Sequence, residues 1–426
     1  MRKLALAATA VAALSVGLQT PAFAAAPDAP TDVTIAWADS QNVKLTWADD
    51  GLANAIYWQL PGGDEVKYVD VSSTHANEIL VPASALAPSK DHVKLIVKAV
   101  NPDGESPSAP SPEFDTLVPA APALQDANLA ANLSTHLTWT QAATTDGTPG
   151  DPLDNAAYEG VEISALRYDG TSDALGRWDS STTSATIASQ PRPTTLTLSS
   201  FSPWGNAKGA RTVKLGTLTA GMSVPASALY ANRLAIKSWL FIHSTGSIVE
   251  RASGIPVELQ ARAKSTDAWK TWGRYSGNTT AAFDTGIASL GNRQYRLWVP
   301  ARKVVSSSII FLTPATSTGA KSSKTLVKIV SGGFNPAVAR PGVRWTLSLK
   351  IAPAVSVRAT VQYWNWNKKI WVNDGWVQLT KGSWSVRSAP DFELGTYRVR
   401  FVVPTVVVNG LTVNANTSPG YNQTIR

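Results

Sequence analysis

Two stretches about a hundred residues apart carry one pattern. Offset by 102 positions, Leu259 faces Val361, Gln260 faces Gln362, Trp269 faces Trp371, Gly273 faces Gly375, Tyr295 faces Tyr397 and Arg296 faces Arg398. The copies, residues 255–300 and 355–404, close alike, on Gln-Tyr-Arg-Leu-Trp-Val-Pro and on Thr-Tyr-Arg-Val-Arg-Phe-Val-Val-Pro. A period of this length is too long for a solenoid unit and suits a string of whole β-domains. It constrains architecture and leaves activity open.

Composition agrees with that architecture. Val, Thr, Trp and Tyr abound, Gly and Pro punctuate the chain throughout, and no window shows a long capped helical periodicity. The chain has no cysteine, so disulfides, thiolate nucleophiles and cysteine-based metal sites are excluded and packing must hold each domain. Arg2 and Lys3, the apolar run from Leu4 to Gly17 and Ala22-Phe-Ala24 read as a secretory signal, residues 1–24, whose apolar core is too short to span a bilayer. No later stretch reads as a membrane span, a C-terminal hydrophobic tail or a wall-sorting signal. The mature chain is therefore expected outside the cell, secreted or associated with the cell wall, as a monomer.

The remaining 400 or so residues divide into four modules, 25–117, 118–219, 220–330 and 331–426. The first opens on Pro27-Asp-Ala-Pro-Thr-Asp-Val-Thr-Ile and continues with the alternating Val43-Lys-Leu-Thr-Trp47 and Ala55-Ile-Tyr-Trp-Gln-Leu60. Val93-Lys-Leu-Ile-Val-Lys-Ala-Val100 then ends in Asn101-Pro-Asp-Gly-Glu-Ser106. These residues resemble a fibronectin type III domain, with one departure at Val93, where that family usually has a Tyr. The second module resembles the first more faintly, through His136-Leu-Thr-Trp139 and Thr197-Leu-Ser-Ser-Phe-Ser-Pro-Trp-Gly205. It follows a Pro/Ala linker, Val118 to Leu124, that is expected to be semi-extended. The repeated third and fourth modules resemble immunoglobulin-like β-sandwiches of bacterial surface and secreted proteins. The fold class is thus all-β, four fibronectin type III-like or immunoglobulin-like sandwiches after a signal peptide.

Charge is divided unevenly. Residues 1–220 hold 13 Lys/Arg and 23 Asp/Glu, a balance of −10, while residues 221–426 hold 25 and 7, a balance of +18. A basic half on an exported protein suggests attraction to wall polymers or acidic glycans; solvation of outer strand faces by Lys and Arg is the plainer account. Comparing the copies separates scaffold from specialisation. Trp269 and Trp371 coincide and read as scaffold, whereas Trp364, Trp366 and Trp376 occur only in the fourth module. Alternation along Val355, Val357, Ala359, Val361 and Tyr363 sends those residues inward and puts Trp364 and Trp366 on the outward row, and Trp376 falls in the outward phase relative to Val377 and Leu379. Beside Arg358, Lys368, Arg398 and Arg400 these rings would form a basic aromatic platform for sugar faces and anionic groups. A bulge after Tyr363, or packing against a neighbouring module, would instead turn them inward.

Other chemistry is thinly represented. His75, His92, His136 and His243 are scattered, and no metalloprotease, serine-hydrolase or phosphate-loop motif is present. Asp391 and Glu393 read as a solvated connection and not as a glycosidase pair. Asp146, Asp151 and Asp154, in a loop inserted at 144–155, could offer calcium hard oxygen ligands, but their spacing matches no EF-hand, and acidic surface loops are common. No catalytic residue, cofactor or metal is therefore expected, and nucleic acid is not expected as the working ligand of an exported chain. The reading is a non-catalytic extracellular protein that binds a surface polymer, glycan or protein. An accessory carbohydrate-binding protein in polysaccharide breakdown is the alternative.

Overall fold

The computed structural model describes residues 25–245, 248–388 and 392–426; the expected signal segment, residues 1–24, and Asp391 lie outside them. Nearly every regular element is a strand, apart from 3₁₀ turns at Ala83–Ala85 and Ala156–Tyr158. No helix among the described residues is long and apolar enough to cross a membrane. Four buried clusters organise the strands into four sandwiches.

The first sandwich packs Thr31–Trp37, Asn42–Ala48 and Glu78–Pro82 against a sheet ordered Val66–Val71, Ala53–Gln59, Lys94–Asn101, Ala109–Pro110. This three-on-four layout is that of a fibronectin type III domain. Alternation dictates it locally: Val43, Leu45 and Trp47 are buried while their neighbours on the same strand face out. Val93 is buried too, and it exchanges backbone hydrogen bonds with Phe114, so the apolar volume expected of an aromatic is supplied from the last strand. The second sandwich sets Ala123–Leu129, Thr135–Thr140 and Ser184–Ile187 against Ser172–Trp178, Gly160–Arg167, Thr194–Ser202 and Thr212–Leu215.

The third and fourth sandwiches share one plan. Each has an outer hairpin, Ile255–Arg262 with Lys270–Gly277 and Val357–Asn365 with Ile370–Leu379, flanked by Arg293–Val299 or Gly395–Val403. The repeat read in sequence is not quite the repeat in space. Gln260 lies opposite Arg296, whereas Gln362 lies opposite Arg400, so the strand carrying Arg398 is displaced by two residues relative to its neighbour. A two-residue slip preserves which face each side chain takes.

Adjacent sandwiches are joined by the connection between each module's last two long strands, which reaches back to the preceding module. In the second module this is a tight turn whose Trp204 stacks near Trp37 and Phe114, at centroid distances of 5.1 and 6.1 Å, inside the first core. Leu153 of the inserted loop enters the same core, and its carbonyl accepts a hydrogen bond from the Trp37 indole N–H at 2.7 Å. The linker is pinned as well, since Ser200 and Ser202 hydroxyls donate to the carbonyls of Pro119 and Leu117 at 2.6 and 3.0 Å.

In the third module the connection is a hairpin, Arg302–Val305 with Ile309–Thr313, that leaves its own sandwich. Thr212–Leu215 pairs in parallel with Ile309–Leu312, and Ile310 and Leu312 are buried in the second module's core. Lys303 binds Asp126 and donates to Asn128 at 2.9 Å from the same hairpin. In the fourth module, Val406–Val408 and Leu411–Val413 form the corresponding hairpin. Leu326 bridges in parallel to Asn414, and the Asn292 N–H donates to Thr412 at 2.8 Å. Gly291 permits this approach, because a Cβ there would lie 2.4 Å from that of Leu411.

The second module therefore depends on residues about a hundred positions downstream. Leu312→Ala should destabilise it by about 2–5 kcal/mol, the usual cost of such a core truncation. Hydrogen exchange at Leu196 and Leu198 should speed up, while Val305→Ala, at a position 55% exposed, leaves it unchanged. Faster exchange confined to the hairpin would contradict this dependence.

Candidate functional site

The outward face of the fourth sandwich collects the residues singled out from sequence. Cross-strand pairs Thr360–Trp376, Gln362–Asn373 and Trp364–Trp371 form its rungs. Trp371 and Trp376 are five apart, and simple alternation would put them on opposite faces. A bulge at Asp374 corrects the phase, with Gly375 at φ 116°, a backbone conformation that disfavours a side chain. The third module has the same break, which leaves Trp272 without a partner between Thr271 and Gly273.

Arginines lie over these rings. The Arg358 guanidinium is 4.1 Å from the centroid of Trp376, and that of Arg400 is 4.4 Å from Trp371. Arg398 sits 5.5 Å from Trp371 and 5.9 Å from Trp364. Trp364 meets Trp371 edge-on at 5.3 Å and Trp366 at 6.4 Å. Trp366 and Trp376 are 53% and 57% exposed, and Trp364 is half-buried beneath the arginines. Neutral amides hold the arrangement: Arg400 Nε donates to Gln362 at 2.7 Å, Gln362 Nε2 donates to Asn373 at 2.8 Å, and the Trp366 indole N–H donates to the Thr396 carbonyl at 3.0 Å. Among the described residues none of these three arginines is in an ion pair, and the buried Nε of Arg398 has no acceptor. Lys368 is exposed in the adjoining turn.

Two expectations change. Tyr363 does not enter the core; it is 38% exposed and faces a cavity of about 460 Å³ at the open end of the sandwich, shared with Trp345, Trp366, Phe392 and Tyr397. Among the described residues the cavity lies open at that end, so an inward phase leads to a cleft and not to buried packing. Trp269 and Trp371, read as scaffold, support the surface and not the interior: Trp269 is held between Arg262 and Arg296 at 4.3 and 4.6 Å. Neither the end cavity nor the amide clamp could be read from residue type alone.

The inserted acidic loop has a different place. Asp151 and Asp154 converge with Asp115 of the first module, and one oxygen from each lies within 4.8 Å of the others. Such oxygens suit a hard cation, but they also brace backbone. Asp151 accepts the N–H groups of Asp115 and Leu153 at 3.0 and 2.7 Å, and Asp154 accepts that of Gly150 at 2.6 Å. Burial pushes the Asp115 carboxyl up to about 7, with Asp146 and Asp151 adding to the rise. Burial also raises Asp154 and Glu159. The histidines remain apart: His92 binds Glu113 at 2.8 Å, His136 meets Thr186 at 3.1 Å, His75 meets Ser72 at 3.0 Å, and His243 lies in the third module.

No model of a known protein family matches the chain, and no curated protein matches it. Solved structures similar to it include the FN1–FN3 domains of chicken CNTN1, at 13% identity over 70% of this chain and 98% of that one, with a TM-score of 0.22. A tetra-tandem repeat from the extending region of a large adhesion protein gives 13% identity over 92% and 99%, with a TM-score of 0.26. The three N-terminal domains of the bacteriophage RB49 highly immunogenic outer capsid protein give 12% over 70% and 100%, with a TM-score of 0.30. At such values they say nothing of ligand or activity.

Asp115 makes the first junction pH-dependent. Its folded value lies above the ordinary 3.8, so its contribution is fully present below about 4 and is lost as pH rises toward about 7. Asp115→Asn should raise the melting temperature at pH 8 by about 2–4 °C and change little at pH 4. An equal shift at both pH values, read by calorimetry, would remove the carboxyl from this account.

Proposed function

We propose that the chain is a non-catalytic extracellular binding protein. Its fourth module holds an anionic surface polymer or glycan on Trp364, Trp366, Trp376, Arg358, Arg398 and Arg400, and its acidic first two modules serve as a spacer. The observation that carries this reading is the set of arginines over indole rings, Arg358 on the exposed Trp376 and Arg398 and Arg400 on the half-buried Trp364 and Trp371, none of them in an ion pair among the described residues. Indole faces suit the apolar faces of sugar rings, and an uncompensated guanidinium attracts carboxylate, sulfate or phosphate groups. The balance of +18 over residues 221–426 gives the surrounding field the same sign. The aromatic cavity beside Trp366 favours a second reading, an accessory carbohydrate-binding protein, in which an uncharged sugar enters between the sheets.

Retention on intact cell envelopes and on insoluble polysaccharides, across a salt series, tests both. Trp364→Ala with Trp366→Ala should weaken retention at least about tenfold. Arg398→Gln with Arg400→Gln should flatten the salt dependence on an acidic polymer. Retention on neutral polysaccharide that ignores salt would favour the second reading. Binding that fades with salt alike in parent and variants would reduce the face to diffuse attraction and end both.

A further inference from the structure

The third module carries a cationic cavity of its own at the junction with the fourth. It measures about 400 Å³ and is lined by Arg262, Lys270, Trp272, Arg293 and Asp267, with Leu411 of the fourth module's hairpin closing one side. Trp272, the unpaired residue of the bulge, lies two positions beyond Lys270 and so on the same face of the strand, beside it. Ala261, Ala263 and Ala268 leave the space unfilled. The Arg293 guanidinium lies over Trp272, 3.6 Å from the ring centroid, and Trp272 is 42% exposed.

The charges in this cavity do not cancel. Among the described residues Arg262, Lys270 and Arg293 take part in no ion pair. Asp267 is engaged in its own turn, accepting the Lys264 N–H at 2.9 Å. Arg293 is partly stripped of water, and that burial pulls it below the ordinary arginine value. A guanidinium stacked on an indole presents its N–H groups edgewise, the geometry that takes an oxyanion in two parallel hydrogen bonds. The fourth module keeps none of this: Lys270 and Trp272 correspond there to Val372 and Asp374 by strand register, and Arg293 to Gly395, or to Tyr397 once the two-residue displacement is allowed for. The cations are therefore a specialisation of the third module and no requirement of the shared sandwich.

We infer that this junction cavity is a binding site for an acidic sugar, its carboxylate or phosphate held by Arg293 and Lys270 and its ring set against Trp272. The volume suits one or two sugar units. The site is separate from the fourth-module face and shares with the proposed function only the anionic character of the ligand. Occupancy also bears on the junction, because Leu411 belongs to the other module.

Calorimetric titration of the full chain at low salt tests the assignment, with glucuronate, glucose 6-phosphate, glucose and inorganic phosphate as probes. The two charged sugars should bind saturably and glucose should not, while inorganic phosphate should bind at least about tenfold more weakly than glucose 6-phosphate for want of ring contact. Glucuronate and glucose 6-phosphate between them distinguish carboxylate from phosphate as the preferred anion. Arg293→Gln should abolish binding and Lys270→Gln should weaken it about tenfold. Arg274→Gln should leave it unchanged, since that guanidinium is engaged by Glu258 at 3.2 Å. If Arg293→Gln does not fold, Lys270→Gln decides, because its side chain is exposed. Trp364→Ala with Trp366→Ala must not affect these titrations, so loss of envelope retention and loss of this site read out separately. The assignment is overturned if no charged sugar binds, if glucose binds equally, if phosphate matches glucose 6-phosphate, or if Arg274→Gln is as damaging as Lys270→Gln.

Discussion

The parallel pairing of Thr212–Leu215 with Ile309–Leu312 is the contact on which the rest of the molecule depends. A sandwich has two sheets, and each sheet has edges whose unpaired N–H and C=O groups invite association. Here the exposed edge of the second module is capped by a strand from the third, and the last strand of the third is met by the hairpin of the fourth. The chain has no cysteine with which to staple its modules. It uses buried apolar side chains instead, and Ile310 and Leu312 contribute about 1.5–3 kcal/mol each by the area they remove from water. Neighbouring modules are therefore joined by buried contacts as well as by the covalent chain.

Much of this was legible and some was not, for physical reasons. Period-2 alternation announced the strands, because a half-buried strand must alternate, and Val43, Leu45 and Trp47 do so without exception. The outward placement of Trp364 and Trp376 followed from the same rule, although Trp371 shares their face only because the bulge at Asp374 shifts the phase by one residue. Alternation breaks down where a sheet runs past its partner, which is why Tyr363 lines an open end and not the core. The displaced strand was invisible for a related reason. Tyr295 and Tyr397 match in sequence, but Tyr295, buried at 1% exposure, lies opposite Ala261, while the corresponding place opposite Tyr363 is filled by Val399. Sequence identity followed the Tyr-Arg pair, and packing followed the residues two places on.

The back-docking hairpins were the least legible element. Val304-Val305 and Ile309-Ile310 have the β-branched composition of strands, but local propensity says nothing about which sheet a hairpin will join. Only the fold brings Lys303 to Asp126, 177 positions away. The same limit applies to the acidic loop, where Asp146, Asp151 and Asp154 suggested a local cluster and the structure recruits Asp115 across the first junction. Contacts between modules are the part of a tandem protein least constrained by any one module's pattern.

The treatment of arginine separates the two halves of the chain. In the second module Arg177 lies 4.6 Å from the Phe201 ring and is neutralised by Glu162 at 2.8 Å, and in the first Lys98 lies over Tyr57 and is paired with Glu65 at 2.6 Å. The stacked cations of the third and fourth modules, Arg296 and Arg400, have glutamines in the corresponding role, Gln260 and Gln362. A glutamine oxygen fixes the guanidinium as a carboxylate would but returns no charge. If these arginines served only to pack against indoles, glutamate would hold them more strongly at the surface, by a charge-assisted bond in place of a neutral acceptor. Holding them with amides keeps the geometry and leaves the positive field intact, at some cost in self-repulsion; Arg296 is pulled below the ordinary arginine value by burial and by Arg262 beside it. An anion from outside the chain would relieve that repulsion, as the proposed function requires, whereas the acidic half pairs its stacked cations, Arg177 and Lys98, with its own carboxylates.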